Sequence, residues 1–504
     1  MAEKLLKVWD DWSAGAFYTV DDGQTPGYGH TNSLLGAIGL RHEVRPVPQE
    51  VTASVTLGAG YNLRHGFEEV DASGNPRLYL VNNTASAGRL TKVSLITASF
   101  GQTNNALDYS NPVGHPIRYA GNWYWTELAA ASEIHELTTC ADGVIGSDTV
   151  TPSVDDRGDG HLFSLGHQMA KVSTTVGVQL LSTDASPITG TWGSAFPVGD
   201  PNDLSLGAAS LQGAAFVLRG RGLYTFNDRG RSGPVYEDLA LWQGNSIKYW
   251  SMDNWKGGLV FSHPSGLFYY RTGNIPINIS PTTREPEVNS IMLDPKDLRF
   301  HSIKAVGDYL YAYCTLIGST TTGYILCGNA VNQDPTNIRW WVLIGNTTGS
   351  VDYGLVVTTT GTYSTGITTC LWYQEGTAIK FIPLNGDGSP VIAKTGIAHT
   401  YASILTSELI FPTPTRITKV VVITGGGDDT IPFSVVSTDV KAYINGNVST
   451  AVQLAGSTVS TGRTEFTVNH ENVFRYSLLC SLIPSLGNAG PTTIRRIELW
   501  GEDN

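Results

Sequence analysis

Charged residues are scarce in this chain of 504 residues. Asp, Glu, Lys and Arg together make up 15% of it, against roughly 25% in an average soluble domain. Glycine is abundant, with 56 residues, and aromatic residues reach 10%. A composition poor in charge and rich in glycine and aromatics is typical of extended β-structure and argues against a mainly helical protein.

An excess of basic charge and long apolar runs are also missing. The chain has 32 basic and 44 acidic residues, for a net charge of −12, which argues against nucleic-acid phosphates as its main target. No run approaches the ~20 apolar residues of a membrane helix, so we expect no membrane anchor. Residues 1–7 lack the apolar core of a secretion signal, so we expect no export by the usual route.

Cysteines are few, and none has the close spacing of a metal site. Because we expect no secretion, we interpret all of them as reduced and mostly buried. Cys314 and Cys327 flank a plausible turn, so a disulfide across a hairpin is the alternative. The five positions are Cys140, Cys314, Cys327, Cys370 and Cys480.

Seven short apolar or aromatic stretches recur along the chain. The steps between their middle residues are 45, 55, 45, 44, 43 and 61 residues. A period in the low-to-mid forties, built from short strands, is the signature of a β-propeller, in which each blade buries its faces against its neighbours. The spacing predicts about seven blades, with six and eight as the alternatives. The stretches are centred on Tyr79, Tyr124, Gln179, Tyr224, Phe268, Tyr311 and Trp372.

Three consecutive copies define the repeating unit most clearly. Each has an apolar strand, a turn with glycine and an aromatic strand, over residues 212–226, 256–270 and 302–313. Glycine supplies the positive φ that tight hairpin turns need. We therefore expect the segments around the aromatic residues of these copies to occupy equivalent places in successive sheets.

The sequence divides into three parts. Residues 1–50 form an N-terminal segment that partly closes the propeller, residues 51–404 form the β-propeller, and residues 405–504 form a β-sandwich, since strand patterns and turns alternate there without helices. The stretch 128–137 is the only convincing candidate for a short helix.

Several local patterns contain residue types that bind metals or take part in catalysis. His135 and Glu136 begin like the helical zinc motif, but its second histidine would fall at position 139, which is Thr. Residues 182–192 resemble the Asp-box turn of sialidase-like propellers, although the glycine comes late. Asp155, Asp156 and Asp159 could offer oxygen ligands to calcium, but a solvated loop explains them better.

Side chains that suggest binding surfaces have simpler explanations. Arg219, Arg221, Arg229 and Arg231 surround one hairpin, where we expect a solvated loop. Tryptophans could line a sugar-binding face, but we expect them to fill the space between blades. We therefore predict no catalytic, metal or cofactor-binding residues and no cofactor. The tryptophans are Trp192, Trp242, Trp250, Trp255, Trp340, Trp341 and Trp372.

Both ends of the chain resemble tailed-bacteriophage tail and neck proteins. Residues 9–15, which read Trp-Asp-Asp-Trp-Ser-Ala-Gly, are similar to the Asp-aromatic-Ser-Gly-Gly opening of that family. The end, where a threonine-rich loop over 491–493 precedes a final strand, is similar to the family's closing strands. The layout of a propeller followed by a sandwich resembles it too.

This resemblance implies a non-enzymatic structural component of a virion, in the tail, tail tip or neck. Such a protein would assemble in the host cytoplasm by docking to other virion proteins, in multiple copies within a symmetric assembly. One alternative is a receptor- or carbohydrate-binding adhesion protein of the tail, which would contact a host glycan or receptor. The second alternative is a propeller glycosidase.

Overall fold

The fold is taken from a computed structural model, and every regular element in its described residues is a β-strand. No helix that could cross a membrane occurs in this part of the chain. The structure describes residues 3–10, 31–35, 37–39, 44–46, 51–96, 102–128, 133–139, 149–152, 160–165, 167–172, 177–182, 185–200, 203, 205–227, 232–237, 252–263, 266–281, 298–316, 322–331, 333–348, 353–361, 368–391, 402–406, 408–426, 436–445, 452–454, 458–459, 462–482 and 492–503.

The strands are numbered in chain order. The first half contains β1 Lys4–Trp9, β2 Thr31–Leu35, β3 Ala37–Gly39, β4 Val44–Pro46, β5 Val51–Thr56, β6 Asn62–Val70, β7 Pro76–Asn83, β8 Gly88–Ser94, β9 Gln102–Tyr109, β10 Ile117–Tyr119, β11 Asn122–Thr126, β12 Ile134–Thr139, β13 Thr149–Pro152, β14 His161–Leu165, β15 Gln168–Val172, β16 Val178–Leu180, β17 Ser205–Leu211, β18 Ala214–Arg219, β19 Leu223–Phe226 and β20 Ser232–Tyr236. The second half contains β21 Met252–Trp255, β22 Gly258–His263, β23 Gly266–Tyr270, β24 Ile277–Asn278, β25 Leu298–Val306, β26 Tyr309–Leu316, β27 Thr322–Val331, β28 Asp334–Thr348, β29 Val356–Thr358, β30 Thr369–Glu375, β31 Ala378–Leu384, β32 Ala402–Thr406, β33 Leu409–Gly426, β34 Val436–Ile444, β35 Val452–Gln453, β36 Thr458–Val459, β37 Gly462–Leu482 and β38 Thr492–Asp503.

Small antiparallel sheets follow one another from β5 to β31, in a propeller-like arrangement. We call them sheets I (β6–β9), II (β10–β13), III (β14–β16), IV (β17–β20), V (β21–β24), VI (β25–β28) and VII (β29–β31 with β5). Sheet VI is continuous with a larger sheet, because β28 pairs with β2. The fourth strand of sheet VII comes from far away in the chain: Lys380 of β31 lies opposite Thr52 of β5.

Hydrophobic clusters lie between consecutive sheets. Between sheets I and II, for example, Phe67 and Tyr79 pack with Trp125, and between IV and V, Leu218 packs with Phe261. Other clusters join sheets II and III, III and IV, V and VI, and VII and I. Each sheet is too small to bury both of its faces alone, so this sharing provides the core of the region.

The predicted equivalence of the three aromatic strands is wrong at one place. Tyr224 and Phe268 lie in the third strands of sheets IV and V, but Tyr311 lies in the second strand of sheet VI. Both inner strands of a four-stranded sheet have a neighbour on each side, so both have apolar and aromatic sequences. The repeat is sharper when second strands are compared, since Pro76, Asn122, Gln168 and Ala214 begin them at intervals of 46 residues.

The turn before the second strand is a recurring feature. Ala120, Gln212 and Lys256 have φ of 47°, 51° and 44°, and each precedes a glycine that also has positive φ. Two consecutive residues with positive φ form the type I′ turn, which fits the twist of a two-residue hairpin. Gly121, Gly213 and Gly257 therefore have a defined role in these turns.

The helix expected over 128–137 is wrong for its described part. Ile134–Thr139 forms β12, in which Leu137 lies opposite Trp123 of β11. The alanines of this stretch favour a helix locally, but the side chains of Ile134 and Leu137 are buried against neighbouring sheets. Tertiary packing therefore overrides the local preference.

The C-terminal strands are long and pair with strands from the beginning of the chain. β33 pairs with both β37 and β38, and β1 forms an edge strand on β38, with Trp9 opposite Ile497. Trp9 is buried in a cluster with Ile417, Leu499 and residues of sheets VI and VII. The N-terminal segment therefore contributes to the C-terminal module, which we define as β1, β32–β38 and the short strands β3 and β4.

Candidate functional site

The arginines predicted in a solvated loop differ in their environments. The buried Arg219 donates from Nε to the Val198 carbonyl and from Nη1 to the Asp203 carbonyl, both at 3.0 Å. Arg221 is largely exposed, 3.7 Å from an Asp203 carboxylate oxygen. Arg219 therefore fastens the segment before sheet IV, which corrects the loop interpretation for this residue. Arg229 and Arg231 lie outside the described residues.

His135 has a structural environment rather than that of a metal ligand. Its Nε2 lies 3.2 Å from the Glu127 carboxylate, and its ring lies beside those of Tyr109 and Trp125. Burial lowers the pKa of His135, although the hydrogen bond to Glu127 opposes this. The residue therefore acts as a packed, hydrogen-bonded partner of Glu127.

Most of the tryptophans considered for a sugar-binding face lie between sheets. Trp255, Trp340, Trp341 and Trp372 are buried, and Trp192 is partly buried. Trp192 donates to the Pro187 carbonyl at 3.2 Å, within the segment compared with an Asp-box. Trp242, Trp250 and the calcium candidates Asp155, Asp156 and Asp159 lie outside the described residues. Cys314, Cys327, Cys370 and Cys480 are buried and form no disulfide.

A group of basic side chains near the first strands of four sheets is the candidate site. His65 lies in β6, His115 precedes β10, His161 begins β14 and Lys304 lies in β25. Arg64 precedes His65 at a bulge, where the pairing of β6 with β7 slips between Leu63 and His65. Bulges of this kind re-aim a side chain and are frequent beside functional sites. We call Arg64, His65, His115, His161 and Lys304 the basic cluster.

The three histidines of the basic cluster are in contact. The ring centroids of His65 and His115 are 4.9 Å apart in an edge-on arrangement, and those of His65 and His161 are 6.5 Å apart. The backbone N–H of His115 donates to Nδ1 of His161 at 3.1 Å. In the neutral ring of His161 the proton therefore resides on Nε2.

The electrostatics of the basic cluster keep its histidines neutral near pH 7. Burial and the nearby His115 lower the pKa of His65 well below its usual range, and burial and Lys304 do the same for His115. Burial also lowers the pKa of His161 to about 4. A charged imidazole is disfavoured here because it would lose hydration beside other positive groups.

The chemistry of the basic cluster differs from that of a metal site or a pair of catalytic carboxylates. The described residues contain no group of three His, Cys, Asp or Glu side chains arranged to hold a metal ion. Their buried carboxylates lie elsewhere and have arginine neighbours: Asp71 lies 2.7 Å from Arg77, and Glu498 lies 2.9 Å from Arg496. The arrangement can donate hydrogen bonds and positive charge.

The basic cluster was not predicted from the sequence. A signal was available, because His65, His115 and His161 are separated by 50 and 46 residues, close to the repeat of the sheets. A polar residue that recurs with the period of a repeat occupies similar positions in successive units.

Comparisons with known proteins do not assign a family. No protein-family model and no curated protein match the chain. Among solved structures, it is similar to a catalytically inactive variant of virginiamycin B lyase from Staphylococcus aureus, with TM-score 0.40 and 11% identity over 66% of this chain and 97% of the other. At such identities and TM-scores these similarities do not decide an activity.

Two further similarities concern a sensor domain and a glycosidase. The extracellular domain of a one component system from B. thetaiotaomicron gives TM-score 0.43 and 10% identity over 95% of this chain and 62% of the other. The exo-beta-1,3-galactanase from Phanerochaete chrysosporium gives 0.27 and 10%, over 90% of this chain and 100% of the other.

Proposed function

We propose that this chain is a non-enzymatic structural component of a tailed-bacteriophage virion, in the tail, tail tip or neck. It docks to other virion proteins and is present in multiple copies in a symmetric assembly formed in the host cytoplasm. The proposal rests on the resemblance of residues 9–15 and of the closing strand to such proteins. Its main structural support is that the described aromatic side chains of the sheets pack between neighbouring sheets, so they do not line an open sugar-binding face.

We further propose that sheets I–VII form one closed, seven-bladed propeller, followed by a C-terminal sandwich. Three contacts between sheets VII and I support closure. Gln374 of sheet VII accepts a hydrogen bond from the Leu63 N–H at 2.6 Å and donates to the Tyr61 carbonyl at 3.0 Å. Gly354 donates to the Leu63 carbonyl at 2.7 Å. A closed ring leaves few exposed strand edges and offers rigid faces for docking.

Gene deletion tests the virion role. In a phage that encodes this chain, deletion is expected to yield particles that lack a tail or neck feature, seen by negative-stain microscopy, and to abolish infectivity. Complementation with the intact gene is the control and should restore both. Normal infectious particles after deletion would contradict the proposal.

A receptor- or carbohydrate-binding role is the second candidate, because the basic cluster offers positive charge to an acidic ligand. Host-cell adsorption by the purified chain, together with binding to arrayed acidic and neutral glycans, separates the two roles. Selective adsorption would favour the adhesion role. Signals equal to those of an unrelated β protein would leave the assembly role.

A further inference from the structure

The three histidines of the basic cluster lie where three consecutive sheets meet. His65 belongs to sheet I, His115 precedes the first strand of sheet II and His161 begins sheet III. His65 is 5% and His161 is 2% exposed, and His115 is partly buried. The centroid of the His65 ring lies 4.9 Å from that of His115 and 6.5 Å from that of His161. A charge on any of these rings therefore acts at the junction of all three sheets.

The hydrogen bond between sheets II and III requires a neutral His161. The backbone N–H of His115 donates to Nδ1 of His161 at 3.1 Å, so this nitrogen has to keep its lone pair. An imidazolium carries protons on both ring nitrogens and accepts no hydrogen bond. Protonation of His161 therefore breaks the bond and leaves two N–H groups facing each other.

A proton on His65 is also poorly accommodated. Its Nε2 has no hydrogen-bond partner in the described part of the chain, so a proton on this atom finds no acceptor there. Lys304 and His161 disfavour a charged His115, although a hydrogen bond with the Leu162 backbone opposes this. A charged imidazole would lose hydration here without gaining an acidic partner from these groups. The main electrostatic influences on His65 are all basic groups: His115, His161, Lys304 and Arg64.

We propose that His65, His115 and His161 form an acid-sensitive joint, which opens the packing of sheets I, II and III reversibly as the pH falls from 7.5 to 5.5. In the closed state the three rings are neutral and in contact. In the opened state water hydrates them, and each takes up a proton. Opening exposes apolar side chains that these sheets share, such as Trp125 and Leu162. The joint is independent of the virion role proposed above, since it rests on contacts within the chain.

The size of the effect follows from the number of histidines that titrate together. A histidine that is neutral in the closed state and has a pKa of about 6.5 in the opened state favours opening about tenfold between pH 7.5 and 5.5, because only the opened state binds the proton. Three such histidines favour opening by up to about a thousandfold. Sheet V contains one histidine, His263, which is buried with its Nε2 3.0 Å from the Gly220 carbonyl. That sheet should gain only about tenfold.

Hydrogen exchange of the full chain, corrected for the pH dependence of the intrinsic rate, tests the joint. Between pH 7.5 and 5.5, protection of the amides in sheets I, II and III should fall by about a hundredfold to a thousandfold, and it should recover when the pH is returned to 7.5. Sheet V, in the same samples, should lose about tenfold. Equal losses in sheets I, II, III and V, or a loss that does not recover, would overturn the proposal.

Two variants and one control assign the effect to the histidines. His161→Asn keeps an acceptor for the His115 N–H but does not titrate, so it should reduce the acid-induced loss of protection about tenfold. His65→Phe should reduce it by a similar factor. His470→Asn is the control, because His470 lies in the C-terminal module, with its Nδ1 3.1 Å from the Tyr476 hydroxyl, and the loss in sheets I, II and III should not change. An undiminished loss in the folded variants would refute the joint, and if one variant does not fold, the other decides by the same criterion.

Discussion

Sheets I–VII and the C-terminal module achieve burial in different ways. The strands of sheet II have three to six residues, and their side chains are buried by neighbouring sheets. In the C-terminal module β33 has 18 residues and β37 has 21, and these long strands pair directly with each other. Sheets I–VII gain stability from packing between repeated small sheets, and the C-terminal module gains it from pairing along long strands.

The two regions also differ in the sequence distance between paired strands. Within sheets I–VI, consecutive strands pair through short hairpins, which need little chain closure. In the C-terminal module β1 pairs with β38, at opposite ends of the chain. Local pairs form early and distant pairs later, so we expect most of the sheets to form their hairpins before the C-terminal module acquires its register. The following predictions test the contrast.

The largest effect is expected at the junction of sheets VII and I. Trp372 is completely buried there, and its Nε1 donates to Thr358 Oγ1 at 2.8 Å. Trp372→Ala should lower the free energy of unfolding by about 3–5 kcal/mol, measured by chemical denaturation. The control is Trp500→Ala on the partly buried end of β38, which should cost clearly less. Equal losses would mean that the stability of sheets I–VII does not depend specially on this junction.

A smaller effect is expected from the hydrogen bonds that join the same two sheets. Gln374→Leu leaves the Leu63 N–H and the Tyr61 carbonyl without their partner, which should cost about 1–3 kcal/mol. The matched control is Gln179→Leu, because Gln179 donates to the Gly193 carbonyl at 3.3 Å in an exposed place. Thermal unfolding of both variants is the measurement. A Gln374 variant as stable as the control would contradict a closed junction.

The smallest effect is the expected loss of stability as the pH falls below neutrality. The pKa of His161 is about 4 in the folded protein, against about 6.5 in an unfolded chain. The unfolded state therefore binds more protons as the pH falls, and the free energy of unfolding should decrease by about 1 kcal/mol between pH 6.5 and 5.5 from this residue alone. Denaturation in phosphate-free buffers measures it. His161→Asn, which keeps an acceptor for the His115 N–H, should flatten the dependence, and an unchanged slope would contradict the assignment.

The strand content and the small repeated sheets could be predicted from the sequence because their cause is local. Gly220 and Gly222 predict a turn, and the apolar run before them predicts a buried strand. The place of a strand within its sheet could not be predicted, as Tyr311 illustrates, because second and third strands have the same hydrophobic neighbours. Only the pairing partners distinguish them.

The basic cluster and the pairing of β1 with β38 could not be predicted for a different reason. Both depend on residues that are distant in sequence and meet only when the sheets pack together. His65 and Lys304 belong to sheets I and VI, and neither residue has a local pattern that differs from a polar position in a strand. The period of the histidines was the available clue.

The position of β5 has a consequence for how the protein is made. Residues 51–56 leave the ribosome long before β31, at residues 378–384, their pairing partner. During most of translation β5 therefore lacks its partner strand, and β31 completes the sheet only once it emerges. A nascent chain in this state presents an open strand edge that other chains could pair with. Slower synthesis should lengthen this exposure, and chaperones that shield β-strand edges should raise the yield of folded protein.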